Sequence, residues 1–173
     1  MDYFIPDIYA QSIHTINYKK LKKSGIKCLL FDLDNTIAPI DSRDVTKKVK
    51  ELFAYLEDLG FKVIIFSNSG KKRLKPFKEN LNVDTSFSSR KPLKGKYKKI
   101  MELYHFKDTE IACIGDQLLT DIFGANRMGF TSILVNQLCP NDFFVTKFNR
   151  FIERIIFKKF EKRGIFYRGK YYD

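Results

Sequence analysis

The chain has 173 residues, of which 44% are hydrophobic, so it is long enough for one domain with a hydrophobic core. Its formal net charge of +12 favours partners rich in phosphate, namely nucleic acid, an anionic membrane surface or a phosphorylated substrate. It has no uninterrupted run of 18 apolar residues and its acidic first residues lack an apolar segment, which argues against a membrane-spanning helix and a secretory signal.

Strand-like and helical patterns alternate from about residue 26 to residue 135. Before them, residues 1–25 are predicted to form an N-terminal arm or helix, with Ile8, Tyr9, Ile13 and Ile16 on one side. Strands are predicted at 26–32, 62–66, 110–114 and 131–135, and helices at 45–59, 71–81, 93–105 and 119–128. This alternation is typical of βαβ units and predicts a Rossmann-like α/β domain with a parallel sheet over residues 26–140.

Residues 141–173 are predicted to form a basic amphipathic tail. Phe and Ile recur every three or four positions from Phe144 to Phe160, which predicts a helix from about Phe143 to Lys162. Such a helix either lies in a membrane interface or docks on the domain. Residues 147–173 hold 9 basic and 3 acidic residues, and residues 71–99 hold 11 basic and 2 acidic residues, so these two segments carry most of the excess charge. An ordinary basic surface is the simpler alternative.

The cysteines Cys28, Cys113 and Cys139 are widely spaced and odd in number. Two of them lie in strand-like runs, and none has the spacing of a metal site. They are interpreted as buried thiols of a protein in a reducing compartment.

Polar residues follow three of the predicted strands. Asp32 and Asp34 follow the first, Ser67 and Asn68 the second, and Asp116 the third. Ligands of an open parallel sheet bind outside the carboxyl ends of its strands, so these side chains are expected to converge.

Asp32 and Asp34 are two residues apart, so in an extended chain their carboxylates point the same way. Two anions so close need a neutralising cation, and Mg²⁺ prefers carboxylate and phosphate oxygens. Asp32 could then attack phosphorus and form an aspartyl-phosphate, while Asp34 protonates the leaving oxygen and later activates water. A capped turn at a strand end is the alternative.

The other polar positions carry weaker signals on their own. Ser67 could donate to a phosphoryl oxygen, although Ser-Asn-Ser-Gly is also a common turn composition. Lys91 could offset phosphate charge, although it lies among many lysines. Asp116 could be a second metal carboxylate oriented by Asp121, although a helix cap has the same composition.

In order and spacing, these four clusters resemble the motifs of the haloacid dehalogenase (HAD) superfamily. Asp32-Leu33-Asp34-Asn35-Thr36 and the segment from Gly115 to Asp121 are similar to those of subfamily IIIA phosphatases, and the resemblance covers residues 26–136. It implies a three-layer sandwich with Asp32 as nucleophile and Asp34 as general acid and base. It also implies phosphate binding by Ser67, Asn68 and Lys91, Mg²⁺ on Asp32, the Asp34 main-chain carbonyl and Asp116, and a supporting role for Asp121. Gly115-Asp116-Gln117 departs from the two adjacent acids of many relatives.

The spacing also bears on the substrate. The gaps from Thr36 to Ser67 and from Ser67 to Lys91 leave room for one helix each and for no cap domain. An uncapped site can meet a large or surface-bound substrate.

The N-terminal Pro6, Tyr9 and Ser12-Ile13, together with the tail from Thr146 to Arg154, resemble a branch that includes phosphatidylglycerophosphate phosphatases. This resemblance implies removal of the terminal phosphate of a lipid headgroup in phospholipid synthesis, by a cytoplasmic protein peripheral at the inner face of the membrane. Two alternatives stay open: a soluble phosphatase for nucleotide or sugar phosphates, and an RNA- or ribosome-associated protein.

Overall fold

The computed structural model describes residues 2–140 and 144–173, with side chains for 3–140 and 148–173. Over these residues, six strands form one parallel sheet in the order β1-β6-β5-β2-β3-β4. The strands are β1 (Ile8–Ala10), β2 (Cys28–Phe31), β3 (Lys62–Phe66), β4 (Asp84–Ser86), β5 (Ile111–Gly115) and β6 (Thr131–Val135).

Helices cover both faces of the sheet. They are α1 (Tyr18–Lys23), α2 (Lys47–Asp58), α3 (Lys71–Leu81), α4 (Lys94–Tyr104), α5 (Phe123–Asn126) and α6 (Phe144–Lys162), and a π-helical turn (Leu118–Ile122) precedes α5. Successive side chains of a strand point to opposite faces. Leu29 and Phe31 therefore share a core with α1, α2 and α3, whereas Cys28 and Leu30 share one with α4 and α5. The fold is the predicted three-layer α/β sandwich.

The gaps from Thr36 to Ser67 and from Ser67 to Lys91 contain no cap domain, as predicted. Between Thr36 and Lys91 the chain forms α2, β3, α3 and β4 with their connecting loops. No inserted domain therefore lies between Thr36 and Lys91. None of the described helices is both long and apolar enough to cross a membrane.

The N-terminal arm supplies an edge strand. Ile8, Tyr9 and Ala10 pair in parallel with Ile133, Leu134 and Val135 of β6. The helical interpretation of Ile8 and Tyr9 is therefore wrong, because a short apolar run fits a strand as well as a helix and the sheet decides between them.

The C-terminal segment packs against the same edge. Phe157 and Phe160 of α6, with Phe166, form a buried cluster that includes Tyr9 and Leu134. Tyr9 and Tyr172 exchange two backbone hydrogen bonds of 2.9 Å. The described parts of all three predicted segments thus pack around one sheet, and the division at residues 25 and 140 stays a prediction. Phe143 lies outside the described residues, as do the side chains of Phe144 and Lys147.

The thiols differ in burial. Cys28 and Cys113 are buried in β2 and β5, and burial raises the pKa of the Cys28 thiol to about 12. Cys139 is only partly buried and donates to Oδ1 of Asn35 at 2.9 Å, so its interpretation as a buried thiol is corrected.

Candidate active site

Lys91 joins two of the predicted carboxylates. Its Nζ donates to Oδ1 of Asp32 and to Oδ1 of Asp121, both at 2.6 Å, and all three side chains are almost fully buried. Burial lowers the pKa of Lys91, but the charges of Asp121 and Asp32 outweigh that effect and raise it overall. Lys91 therefore stays protonated, as a fixed cation beside Asp32.

Asp32 keeps one oxygen available. Its Oδ2 is buried and has no hydrogen-bond partner among the described residues. Burial raises the pKa of Asp32 well above its ordinary value, although the Lys91 ammonium lowers it. Burial likewise raises the pKa of Asp116 to about 7, against the opposing effect of Arg150. Burial therefore disfavours the charged form of both carboxylates, although each has a basic partner.

This arrangement fits a divalent cation. Asp32, Asp116 and Asp121 each have a carboxylate oxygen within 4.8 Å of the others. Asp121 accepts from Lys91 Nζ and, at 3.1 Å, from the main-chain N–H of Gln117, and Asp116 accepts from Thr36 and Arg150, so Asp32 Oδ2 is the oxygen of this cluster that has no protein partner. An all-oxygen set with an unpartnered carboxylate oxygen is what Mg²⁺ prefers.

The carboxylate of Asp34 is not a member of this cluster and has partners of its own. It accepts from Ser69 Oγ at 2.5 Å and from Arg73 Nε at 2.9 Å. Arg73 also donates to the main-chain oxygens of Pro39 and Ser42, so one guanidinium holds Asp34 and the loop after it together. Sequence reasoning missed Arg73, which is one of many basic residues in its segment.

Ser67 and Asn68 follow β3 as predicted. The hydroxyl of Ser67 is buried and accepts from the main-chain N–H of Ser69 at 3.1 Å. The amide of Asn68 accepts from the Lys91 N–H at 2.7 Å and donates to the Lys91 carbonyl at 3.2 Å. Asn68 therefore fixes the backbone that carries Lys91, and it uses both its Oδ1 and its Nδ2 to do so.

Asp121 reaches the site through the π-helical turn after β5. A Cβ built on Gly115 would overlap the Asp121 carboxylate, so the close approach of this turn to the strand end requires glycine. Thr36 donates to Oδ1 of Asp116 at 3.2 Å and links the end of β5 to the loop after β2.

Arg150 and Glu153 of α6 also belong to the site, and sequence reasoning missed them. Arg150 donates to the main-chain oxygen of Asp116 at 2.7 Å and to its Oδ2, and also to Glu153 Oε2 at 3.0 Å. The Glu153 side chain is 1% exposed and its Oε1 accepts from the Leu119 N–H at 3.2 Å. The one available signal was an acid three residues after an arginine within a Phe/Ile-rich helix.

The sequence matches the family model described as "Mitochondrial PGP phosphatase" over residues 1–138. "Probable phosphatase YqeG" of Bacillus subtilis is 36% identical over 162 residues, covering 94% of each chain. "Phosphatidylglycerophosphate phosphatase 1, chloroplastic/mitochondrial" of Arabidopsis thaliana is 23% identical over 94% of this chain and 50% of its own length. The chain thus spans about half of that relative.

Solved structures of low sequence identity share the fold. A HAD superfamily (subfamily III A) hydrolase from Legionella pneumophila aligns with a TM-score of 0.53 and 20% identity, over 70% of this chain and 72% of its own. D,D-heptose 1.7-bisphosphate phosphatase from B. bronchiseptica, complexed with magnesium and phosphate, aligns with a TM-score of 0.54 and 19% identity, over 63% and 80%.

Proposed function

The chain belongs to the mitochondrial PGP phosphatase family, a phosphatase family of the HAD superfamily, and we propose that it removes the terminal phosphate of phosphatidylglycerophosphate with the aid of Mg²⁺. The observation that carries the proposed chemistry is the Lys91 ammonium, held at 2.6 Å between Asp32 and Asp121 beside the unpartnered Asp32 Oδ2. Asp32 has one oxygen fixed beside a cation and one without a protein partner, and we assign to this carboxylate both the attack on phosphorus and a place among the Mg²⁺ ligands.

In the first step, the Asp32 carboxylate attacks phosphorus while Asp34 protonates the departing alcohol oxygen, giving an aspartyl-phosphate. In the second step, Asp34 takes a proton from water, which attacks the same phosphorus and releases phosphate from Asp32. Ser69 and Arg73 orient the Asp34 carboxylate for both proton transfers.

The transferred phosphoryl group needs positive charge and hydrogen-bond donors around it. Lys91 supplies a fixed cation, and we assign to the Ser67 hydroxyl, at the end of β3, the donation of a hydrogen bond to a phosphate oxygen. We assign to Asn68 the task of positioning Lys91 rather than of contacting phosphate. Mg²⁺, held by Asp32, Asp116 and the main-chain carbonyl of Asp34 with Asp121 in support, supplies further charge against the phosphate oxygens when bound.

The lipid substrate is supported by the family and by the form of the surface. The site has no cap, so a headgroup at a membrane surface can reach it. On α6, Phe148, Phe151 and Ile155 form an exposed apolar stripe that continues into Lys158, Lys159 and Lys162. A basic helix with such a stripe suits reversible binding to anionic lipid, and we propose a peripheral, cytoplasmic location at the inner membrane face.

The test is a phosphate-release assay on purified protein with phosphatidylglycerophosphate in mixed micelles, beside nucleotide and sugar phosphates. We expect kcat/KM for the lipid to exceed that for each soluble compound by at least about tenfold, a difference of about 1.4 kcal/mol in transition-state binding. Equal or better turnover of a nucleotide or sugar phosphate would indicate a soluble phosphatase. RNA binding that persists in Asp32→Asn, without turnover of any phosphomonoester by the wild type, would indicate a binding protein.

A further inference from the structure

A cavity of about 510 Å³ lies between the end of β6, the helix α6 and the segment after it. This volume is in the range of small-molecule sites. The residues that matter for its chemistry are Tyr9, Asp116, Asn136, Arg150, Arg168 and Tyr171. The C-terminal segment therefore builds one side of a pocket whose other side is the catalytic edge of the sheet.

The cavity adjoins the proposed site of phosphoryl transfer. Asp116 lines it, and a carboxylate oxygen of Asp116 lies within 4.8 Å of one of Asp32. One residue of the candidate metal cluster thus belongs to both the site and the cavity.

Two arginines line the cavity, and they differ in their partners. Arg150 is held by Asp116 and by the buried Glu153, and these carboxylates balance its charge. The guanidinium of Arg168 lies 4.1 Å from the centre of the buried Phe157 ring, and this stacking holds its plane. A planar guanidinium held in this way is suited to phosphate oxygens, which it can bind through two parallel hydrogen bonds.

The rest of the polar wall is held rigidly. Tyr9 donates its hydroxyl to Asn136 Oδ1 at 2.7 Å, and Asn136 Nδ2 donates to the Tyr171 hydroxyl at 2.8 Å. The main-chain N–H of Gly169 donates to the Tyr9 hydroxyl at 3.3 Å. These contacts tie β1, β6 and the C-terminal segment together, so the wall is organised before any ligand arrives.

We propose that this cavity binds a second anionic group of the substrate, a phosphodiester next to the phosphomonoester that is cleaved. The proposal rests on the proposed function and deepens it, since it assigns headgroup recognition to Arg168, with Arg150 as part of the fixed wall. The charge of Arg168 favours an anion in the part of the cavity that it lines. The same chemistry is offered by a lipid headgroup and by its water-soluble, deacylated form.

The first experiment compares two soluble substrates, so that membrane binding plays no part. Deacylated phosphatidylglycerophosphate carries both phosphates, and glycerol 3-phosphate carries only the monoester. We expect wild type to prefer the former in kcat/KM, and Arg168→Gln to lower this preference about tenfold, the usual effect of losing a charge-assisted hydrogen bond. Arg168→Lys should recover only part, because it keeps the charge without the planar fork.

The matched control is Arg154→Gln, which removes an exposed α6 arginine that lies over Phe151 and does not line the cavity. It should retain the wild-type preference. An equal loss in Arg154→Gln and Arg168→Gln would overturn the proposal in favour of a diffuse effect of surface charge. Assays of Arg168→Gln with phosphatidylglycerophosphate in micelles and with its deacylated form then distinguish the two sources of the diester. A lower preference over glycerol 3-phosphate for both forms supports the cavity, and a lower preference for the lipid alone contradicts it.

The second experiment measures binding without catalysis. Titration calorimetry with glycerophosphoglycerol, which contains only the diester, should give a Kd about tenfold higher for Arg168→Gln than for wild type. Binding to wild type that Arg168→Gln leaves unchanged would overturn the proposal, as would absence of binding. Arg168-dependent binding by a protein that hydrolyses no phosphomonoester would instead support the cavity and reject the proposed function. Hydrolysis of glycerol 3-phosphate by a protein that does not bind the diester would support a phosphatase and reject the cavity as a diester site.

Discussion

Arg150, on the C-terminal helix, donates to the main-chain oxygen of Asp116 at 2.7 Å and also to the Asp116 carboxylate. Asp116 directly follows β5 in the candidate site, and Arg150 is in turn paired with the buried Glu153. A helix whose exposed half carries the features of a membrane-binding segment thus also reaches a candidate metal ligand through its inner half. Substitutions on α6 should therefore fall into two classes, those that affect the site and those that affect the surface.

Replacement of the nucleophile should abolish turnover without unfolding the protein. Asp32→Asn keeps the side-chain volume but cannot form an aspartyl-phosphate, so kcat should fall at least about a thousandfold. Burial disfavours the Asp32 charge, so the melting temperature should stay within a few degrees of wild type. The control Asp58→Asn changes an exposed carboxylate and should be fully active. Wild-type turnover by folded Asp32→Asn would exclude the mechanism.

Removal of the metal should be visible in stability as well as in activity. EDTA should abolish turnover and Mg²⁺ should restore it. At a Mg²⁺ concentration of about 100 times Kd, metal binding should stabilise the fold by about 2.7 kcal/mol, measured as a rise in melting temperature. Asp116→Asn should lose both responses, because Asp116 is a proposed ligand with a buried carboxylate. Full activity of wild type in chelator would contradict the metal assignment.

The close approach of the Asp121 carboxylate to Gly115 can be tested by adding a methyl group at Gly115. Gly115→Ala should displace the Asp121 carboxylate, which the new Cβ would overlap, and should cost about 1–3 kcal/mol in the free energy of unfolding together with most activity. Gly95→Ala in α4 is the matched control, because a Cβ there meets nothing within 4 Å. It should stabilise by about 0.5–1 kcal/mol. Denaturant unfolding of both variants decides the point, and a neutral Gly115→Ala would refute the argument.

The pairing of Glu153 predicts a pH effect with a definite sign. Burial raises the pKa of Glu153 above its ordinary value of 4.5, against the lowering by Arg150, while Asp121 adds a smaller repulsion. The folded state therefore holds a proton there more tightly than the unfolded state. Through Glu153, stability should fall as pH rises from about 4.5 through the folded pKa, and then level off.

Glu153→Gln removes the titrating carboxyl and with it this part of the pH dependence of stability. Its free energy of unfolding, compared with that of wild type by urea denaturation at several pH values, should therefore decline less over the same interval. Parallel stability curves for the two proteins would show that Glu153 titrates alike in the folded and unfolded states, and would contradict the prediction.

Substitutions of exposed basic residues on α6 should change membrane binding and leave the chemistry of the site unchanged. Replacing Lys158, Lys159 and Lys162 with Glu should weaken binding to vesicles that contain anionic lipid by more than about tenfold, since each basic residue near such a surface contributes about 1 kcal/mol. Turnover of glycerol 3-phosphate should be unaffected. The same reversal at Lys47, Lys48 and Lys50 of α2, all exposed, is the control. Co-sedimentation measures both triple variants, and wild type that stays in the supernatant would reject membrane association.

Much of the central sheet could be predicted because its strands are buried on both faces and its helices are amphipathic. The predicted bounds of β3, β6 and α3 agree with the structure. Asp32 and Asp116 come together, and Ser67 follows the neighbouring strand β3, because parallel strands end at one edge of the sheet.

Other features depend on tertiary contacts that a local pattern does not contain. The helix predicted over 119–128 begins with a π-helical turn, in which Ile122 N–H donates to Gln117 O at 3.2 Å, and this turn brings Asp121 to Lys91. The amphipathic pattern of α6 predicted an apolar face, but it did not show which part of that face is buried. Phe157 packs in the core, whereas Phe148 is 65% exposed. Only the docked helix reveals that Arg150 points at Asp116.

The backbone pairing of Tyr9 with Tyr172 joins regions near opposite ends of the chain. During synthesis the N-terminal part of a protein emerges first and can fold before the rest is made. The contacts of Lys91 with Asp32 and Asp121 need only residues up to 121, whereas the cavity needs Arg150, Arg168 and Tyr171. The residues proposed to cleave phosphate are thus synthesised before those proposed to select the substrate, and a chain that stops before residue 168 contains the first set but lacks Arg168 and the pairing of Tyr9 with Tyr172.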